Sequence, residues 1–542
     1  MNAALDSLAA RYLRTVLEDS PISASYLGLH NRDGDLGDWS VDALEEQNRH
    51  MRSLLAEAEA LAPDPRDVDS VIDAAVWRAA LWRNVFAYEE LRTHETQPGD
   101  YIYEAISACH LLIVRDFAPL EDRAASVLSR LRQIPRVLAS MQANVREAPG
   151  IFAQVGAEAA RGGTAFLSSV IPRLAEGVPA LGRDLERISA EAGAAFERAA
   201  LYLERMAATS DRPFHIGKQS FDRILRTHHL LPFGSDALLA MGWDVLRETE
   251  ARLTEVAREI DPSRHWTEVV EDQKASHPPA ALLKETYAKE MRRARDFVRE
   301  RGLVSVPEGE TLEVIDTPEF ARPVLPYAAY MPPGALEPVQ AGFFFVTPVN
   351  DRAPAEEREM QLRGHPSNTI PVIALHEAYP GHHLQIVRAN ASPNVARKLF
   401  WSTVFGEGWA LYCEEMMREE GYFADPAPRL CQLNESLWRA ARIVVDVGLS
   451  SGEMSIDAAT DFMVGRARLE RVNALAEVKR YAGTPTQPSS YMIGKRAILR
   501  IRDRFRAKEG ARFSLRAFHD RLLDLGHVQP ALAERALGLP AE

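Results

Sequence analysis

One short segment carries the residue types that a hydrolytic metal site needs. The segment IPVIALHEAYPGHHLQIV, at 370–387, begins with an apolar run and then gives His376-Glu377, the start of the usual zinc-protease motif. That motif places its second histidine four residues after the first. Here Pro380 occupies that position, and the next histidines are His382 and His383. The segment is therefore a broken zinc site, a different zinc site or a chance cluster.

Helix geometry explains why this spacing is unusual. Residues four apart lie about 40° from each other on one helix face, whereas residues six apart lie about 120° away. In a regular helix, His376 and His382 would therefore not reach one metal ion with bonds of about 2 Å. Pro380-Gly381 removes this difficulty, because proline breaks the hydrogen-bond ladder and glycine permits a bulged turn. We expect a widened turn that returns His382 to the metal.

Two glutamates supply the remaining groups of such a site. Glu377 directly follows the first histidine, where the usual motif has the general base that takes a proton from water. Glu407 lies between two glycines in FGEGWALYCEEMM, at the expected start of another helix. Two histidines and a carboxylate form a common catalytic zinc set with an open fourth position. The same residues also fit a packed His-Glu pair and a solvated turn, so both interpretations stay open from the residues alone.

The elements that must position this segment are mostly helical. Near the start, one apolar face is marked by Leu5, Leu8, Tyr12 and Val16. Similar patterns, several separated by Pro/Gly joints, cover about 41–62, 67–93, 120–145, 183–208, 235–260 and 278–301. Helical pattern resumes near 367 and continues to the C-terminus.

Between about 303 and 350 the sequence changes character, with many proline, aromatic and β-branched residues. Thr311–Ile315 and Gly342–Val346 are the best strand candidates there. We therefore predict a mainly α-helical fold with two lobes, a small β insert and a deep active-site cleft. The N-terminal helical lobe is assigned to 1–215 and the catalytic lobe to 216–542, within one integrated unit. Because the insert precedes the metal segment, AGFFFVTPV is expected to offer an edge strand to an extended peptide.

Composition narrows the class of protein. The formal net charge of −13 over 542 residues argues against a nucleic-acid partner. Cys109, Cys413 and Cys431 are widely spaced, which indicates neither a disulfide framework nor a thiolate zinc site. No apolar run approaches the ~18 residues that cross a membrane, and the first residues indicate an amphipathic helix, not a secretion signal. We therefore expect a cytoplasmic protein with no membrane partner.

HEAYPGHHLQ together with GEGWALY resembles a bacterial family known as domain of unknown function 885. The family pattern is His-Glu-x-x-Pro-Gly-His-x-x-Gln followed by Glu-Gly-Trp-Ala. LWRAARIVVDVGL at 437–449 and RYAGTPTQPSSYMIGK at 480–495 look like further family segments, so the resemblance covers nearly the whole chain. The family looks like a zincin of the gluzincin type. The resemblance implies a zincin-like fold, one zinc ion per chain, and hydrolysis of an amide bond in short peptides or peptide-like small molecules.

Carried over residue by residue, the resemblance implies that His376, His382 and Glu407 bind zinc and that Glu377 is the base. Tyr491 would stabilise the oxyanion of the tetrahedral intermediate, or would be a buried aromatic residue with a satisfied hydroxyl. The family leaves the position after the second histidine variable, and His383 occupies it here. We therefore expect His383 to lie behind the metal ligands or to face the substrate.

Several arginines are expected to bind substrate. Arg439, Arg442 and Asp446 fall at i, i+3 and i+7 on one helix face, where they hold a substrate carboxylate or tie two helices together. The same two alternatives apply to Arg480. Ser450 stands where the family commonly has a histidine, which leaves open an enzyme of specialised metabolism with a non-peptide substrate. An inactive helical binding protein is the other alternative, and a homodimer is left open.

Overall fold

The computed structural model describes residues 3–318, 322, 325 and 327–540, and the chain divides into two compact units. The first unit contains the described residues up to Phe214 together with Gly334–Pro338. The second contains His215–Thr317, a strand at Ala328–Met331 and the described residues from Val339 onward. The predicted mainly helical fold with a small β insert is confirmed. Among the described residues, no helix is long and apolar enough to span a bilayer.

The regular elements described in the first unit are all helices. Its helices are α1 (Ala3–Asp19), α2 (Pro21–Leu27), α3 (Val41–Ala60), α4 (Val68–Glu89), α5 (Thr93–Thr96), α6 (Pro98–Val114), α7 (Leu120–Asn144), α8 (Gly150–Gly177) and α9 (Pro179–Thr209). Helices α6 to α9 form one continuous apolar core, because each carries buried residues three and four apart. Gly163 lets α8 approach α9 closely, since a Cβ there would lie 3.0 Å from the Phe196 ring.

The second unit carries the metal segment within a larger set of helices. They are α10 (Lys218–Arg223), α11 (Ser235–Ile260), α12 (Trp266–Ala275), α13 (Leu283–Arg301), α14 (Ala355–Arg363), α15 (Ile370–Glu377), α16 (His382–Asn390), α17 (Val395–Leu399), α18 (Thr403–Glu419), α19 (Pro426–Ser451), α20 (Ile456–Ala467), α21 (Arg471–Gly483), α22 (Gln487–Glu509), α23 (Leu515–Leu523) and α24 (Pro530–Ala536). Helix α18 packs along α22, and α19 packs along α11. The six helical patterns predicted before the β insert are all found as helices, within a few residues at their ends.

The β insert is a three-stranded sheet formed by β1 (Thr311–Asp316), β2 (Ala328–Met331) and β3 (Ala341–Val346). Strand β3 lies in the middle, parallel to β1 and antiparallel to β2. Both predicted strands are confirmed, and β2 was missed. The expectation that AGFFFVTPV offers an open edge is wrong, because β3 is hydrogen-bonded on both sides. Its nearly continuous apolar run fits this central position.

Candidate metal centre

The Pro-Gly step splits the metal segment into two helices. Helix α15 ends at Glu377, one residue after His376, and α16 begins at His382. Between them the Tyr379–Pro380 peptide bond is cis, and the Gly381 amide donates to the Leu375 carbonyl at 3.0 Å. The rings of His376 and His382 then pack edge to face, with centroids 4.9 Å apart and planes at 85°. The extra residues are thus absorbed by a break between helices, a larger change than the widened turn expected within one helix.

Helix α18 brings the third candidate ligand to these histidines. Its N-terminus is capped by the Ser402 hydroxyl, which accepts from the Phe405 amide at 3.4 Å. One turn into this helix, Gly408 lies against Gly494 of α22, and a Cβ on Gly494 would lie only 1.8 Å from a backbone carbonyl oxygen. This close crossing sets Glu407 at the junction of the two helices. Its Oε2 atom lies 3.3 Å from His382 Nε2.

Three side chains meet in an arrangement that a metal ion can fill. Donor atoms of His376, His382 and Glu407 all lie within 4.8 Å of one another. Two ligands bound at about 2.0–2.1 Å in tetrahedral geometry are separated by about 3.3 Å, which matches the distance between His382 and Glu407. Within the described part of the chain, no other group of histidine, cysteine or acidic side chains has such spacing. The residues present therefore fit a divalent metal.

Glu414 orients one of the histidines from behind. It lies seven residues after Glu407 in α18, and its Oε1 accepts from His376 Nδ1 at 2.8 Å. With Glu414 ionised, this bond fixes the tautomer and leaves Nε2 of His376 available to bind a metal. A carboxylate behind a ligating histidine is the usual support of a protein metal site. Burial raises the pKa of Glu414 to about 7, against the opposing charges of Arg439 and Lys495.

The protonation states of the three donors differ in the metal-free protein. Burial lowers the pKa of His376 to about 3, so its ring is neutral. Burial also disfavours the charged form of His382, but the hydrogen bond and charge of Glu407 outweigh it and raise the pKa of His382. Burial works against the charge on Glu407, yet the hydrogen bond from His382 prevails and lowers the pKa of Glu407 to about 2. The contact between His382 and Glu407 thus favours the charged form of both groups.

The GEGWALY segment also holds the turn of the HEAYPGHHLQ segment in place. Trp409 of α18 donates its indole N–H to the Pro380 carbonyl at 2.8 Å, and the Cys413 thiol lies 3.7 Å from the same oxygen. Both side chains are fully buried. This explains why Glu-Gly-Trp-Ala accompanies the Pro-Gly step: the helix that carries Glu407 also satisfies a backbone carbonyl that the broken helix leaves without a partner.

Glu377 lies at the end of α15 beside the two histidines and is half-buried. Its negative charge favours the protonated forms of both His376 and His382. This is the placement that a general base next to the metal donors requires.

Tyr491 of α22 also lies beside the donor cluster. Its ring is nearly parallel to the His376 ring, with centroids 6.5 Å apart. Burial and the nearby charge of Glu407 raise the pKa of Tyr491, so its hydroxyl keeps its proton at neutral pH. Gln487, one turn earlier, donates to Glu407 at 3.4 Å and to the Tyr491 hydroxyl at 3.5 Å.

Of the predicted arginines, Arg442 contacts Tyr491 and Arg480 contacts Gln487. The Arg442 guanidinium lies 4.7 Å from the Tyr491 ring centroid, and Arg480 donates to Gln487 at 3.1 Å. Arg439 is instead paired with Glu435 on its own helix, although its charge still lowers the pKa of His376. Of the three arginines, Arg442 and Arg480 are therefore the ones in direct contact with the residues around the cluster.

Asp446 ties two helices together, which was one of its two expected roles. Its carboxylate accepts from the Thr486 and Ser489 amides at 3.1 and 3.2 Å, and from the Ser489 hydroxyl at 2.6 Å. These bonds fix the start of α22, and with it Gln487. Ser450, at the position of the family histidine, is buried, and its hydroxyl lies 3.5 Å from Asp446.

His383 does not lie with the metal donors, which argues against the expected contact with substrate. Its side chain is fully buried, Nε2 donates to Glu310 at 2.6 Å, and Nδ1 accepts from the Tyr330 hydroxyl at 3.0 Å. Because both ring nitrogens are occupied, the residue fastens α16 to the β insert.

Two residues of the site were not identified from the sequence. Glu414 follows Glu407 by seven residues, a spacing that returns to the same helix face and so could have indicated it. Gln487 precedes Tyr491 by four residues, which is the same kind of signal. Neither spacing is specific, because it recurs throughout any helical protein.

Two known structures of bacterial proteins share this fold. A candidate lipoprotein of unknown function from Shewanella oneidensis aligns with a TM-score of 0.80 and 20% identity over 98% of this chain and 99% of that chain. A candidate lipoprotein from Colwellia psychrerythraea aligns with a TM-score of 0.83 and 19% identity over 99% of this chain and 98% of that chain. An M32 carboxypeptidase from Deinococcus radiodurans R1 is more distant. It aligns with a TM-score of 0.45 and 11% identity over 100% of this chain and 96% of that chain. No curated protein matches the sequence significantly.

The predicted cytoplasmic location is contradicted by the two lipoprotein descriptions, because lipoproteins are anchored at a membrane or secreted. The prediction rested on the first residues, which were interpreted as an amphipathic helix and not a secretion signal, and on the lack of a long apolar segment. Acyl chains anchor proteins without such a segment, so its absence does not indicate the cytoplasm.

The sequence also matches a family profile over almost its full length. The match covers residues 21–537 and therefore includes both motif segments and the helices that carry Arg442, Arg480 and Tyr491. The chain belongs to the family described as bacterial protein of unknown function, DUF885.

Proposed function

We propose that this protein is a zincin-like, zinc-dependent hydrolase that cleaves an amide bond in short peptides or peptide-like small molecules. The observation that carries the proposal is the meeting of His376, His382 and Glu407, with Glu414 behind His376. Three converging donors with a carboxylate behind one histidine are the residues that a catalytic zinc site uses. A catalytic zinc site needs three protein ligands, an open fourth position and a supporting hydrogen bond to a histidine.

A zinc ion bound by these three residues would polarise the substrate carbonyl and lower the pKa of the attacking water. Glu377 accepts a proton from that water as its oxygen attacks the carbonyl carbon, and then returns the proton to the leaving nitrogen. The C–N bond breaks, and a carboxylic acid and an amine are released. Tyr491, which keeps its proton, donates a hydrogen bond to the carbonyl oxygen as negative charge develops on it.

The test is hydrolysis of a mixed library of di- to pentapeptides by the zinc-loaded protein, followed by mass spectrometry. We expect a subset of peptides to be cleaved, cleavage to stop when a chelator removes the metal, and added zinc to restore it. Glu377→Gln is the matched control, because it keeps the side-chain shape and removes the base. It is expected to retain zinc and to lose at least about 10²-fold in rate.

Two results would contradict the proposal. One is a zinc-loaded wild-type protein that cleaves no member of the library and no amide-bearing metabolite. The other is cleavage that continues equally in Glu377→Gln, which would point to a contaminating peptidase.

A further inference from the structure

Two arginines beside the metal donors share one carboxylate. Glu477 Oε2 accepts from Arg480 at 2.8 Å and from Arg442 at 3.3 Å. The charges of these arginines overcome the effect of burial and lower the pKa of Glu477 to about 2, so it carries one full negative charge. One carboxylate neutralises one guanidinium, and the trio therefore keeps a surplus of one positive charge.

Arg442 also has a donor with no acceptor. Its Nε donates to the Tyr481 hydroxyl at 2.7 Å and its Nη2 to Glu477, but Nη1 is enclosed and has no hydrogen-bond partner. The residue is only 4% exposed. A buried charged donor left unpaired is costly, so an anion or a water must complete it in the working protein.

The distances around Tyr491 show how near the two arginines lie to the metal donors, where the amide bond would be cleaved. Tyr491 is the common neighbour, because its ring centroid lies 6.5 Å from that of His376 and 4.7 Å from the Arg442 guanidinium carbon. One extended residue spans about 3.5 Å. These distances put the arginines within reach of a short substrate whose amide lies at the metal donors and whose negative group is one or two residues away.

We propose that Arg442 and Arg480 bind a free carboxylate of the substrate, one or two residues from the amide that is cleaved. This inference rests on the proposed function and names its substrate class: short peptides, or acyl amino acids, that end in an unblocked carboxylate. Arginine suits this role because its planar guanidinium presents paired donors to a carboxylate. Arg480, with 40% of its side chain exposed, is the group that the substrate meets first, and Arg442 lies behind it.

The first experiment measures binding to the metal-free protein and so does not depend on activity. The probes are the twenty N-acetyl amino acids, each paired with its C-terminal amide and titrated by calorimetry. We expect several acids to bind at least about tenfold more tightly than their amides. Arg480→Gln should abolish this preference. Arg496→Gln, on the exposed face of α22 where it pairs with Glu248, should leave it unchanged.

The second experiment compares kcat/KM of the zinc enzyme for peptides with a free C-terminus and for the same peptides as amides. We expect at least a tenfold advantage for the free acids, which Arg480→Gln removes. Peptide amides that carry aspartate or glutamate test whether a side-chain carboxylate can replace the terminal one, and we expect these amides to be cleaved as poorly as neutral amides.

Equal binding and equal cleavage of acids and amides by the wild-type protein would overturn this inference while leaving the hydrolase intact. An acid preference that survives in Arg480→Gln would also overturn it. Failure of the proposed function looks different, because no peptide of any kind would then be cleaved. Arg480→Gln must show wild-type thermal unfolding for its result to count against the site.

Discussion

The carbonyl oxygen of His376 occupies the space where a side chain at Gly381 would begin: a Cβ atom there would lie 1.8 Å from it. The Leu375 carbonyl oxygen is almost as close, at 2.5 Å. Both are backbone atoms and cannot turn aside as a flexible side chain can. The glycine of the Pro-Gly step therefore lets the chain fold back against α15 and bring His382 to His376.

Replacing this glycine should destroy the metal site. In Gly381→Ala the methyl group must push α16 away from α15, which separates the two histidines, and we expect zinc affinity to fall by at least about 10²-fold. Gly465→Ala is the matched control, because that glycine is helical and has open space around it. Zinc affinity is measured by competition with a fluorescent chelator. Wild-type affinity in Gly381→Ala would refute this account of the turn.

Glu414→Gln tests the support behind His376. Glutamine has the same shape but lacks the charge that stabilises the histidine tautomer, so zinc affinity should fall by about 10–100-fold. Glu419→Gln, later in the same helix, removes a carboxylate that pairs with Arg502 and should bind zinc as wild type does. Equal affinity for zinc in Glu414→Gln and Glu419→Gln would show that the hydrogen bond to His376 has no role in binding.

The metal segment shows which features of the site could be predicted from the sequence. The histidine types, the glutamate after the first histidine and the need for a disrupted helix were all predictable, because residue chemistry and helix geometry are local properties. Glu407 was predicted as a ligand from its residue type and the family resemblance, but its position beside His382 does not follow from local properties. It depends on the contact between Gly408 and Gly494, which are far apart in the chain, and two glycines give no signal of such a pairing.

For His383 and the central strand β3, the local sequence pattern did not predict the contacts that the structure shows. The local pattern suggested a histidine near the substrate and an edge strand near the site. Their roles are instead set by Glu310 and by the two flanking strands, which lie tens of residues away in sequence. Contacts with residues distant in sequence therefore determine the roles of both His383 and β3.

Tyr491→Phe separates a catalytic hydroxyl from a packing role. The aromatic ring stays in place, so zinc content and thermal unfolding should match the wild-type protein. If the hydroxyl stabilises the developing oxyanion, kcat/KM should fall by about 10²–10³-fold. Steady-state kinetics on a peptide found in the library screen provides the measurement. Unchanged kinetics would assign Tyr491 to packing alone.

Zinc affinity should fall in acid because of the proton on His382. A protonated imidazole cannot bind metal, and Glu407 raises the pKa of this ring above the ordinary value of 6.5. Below that raised pKa, the apparent affinity should drop about tenfold per pH unit, with close to one proton released for each zinc bound. Chelator competition between pH 5 and 8.5 measures the slope. Affinity that does not change across this range would contradict the raised pKa of His382.

The most direct test of the metal site is zinc stoichiometry in protein purified without a chelator or a histidine tag. Wild type and Glu407→Ala are analysed by elemental mass spectrometry, with Arg496→Gln as a surface control. We predict close to one zinc per chain in wild type and control, and almost none in Glu407→Ala. Well-folded wild-type protein that contains no metal and takes up none on addition of zinc would contradict the account.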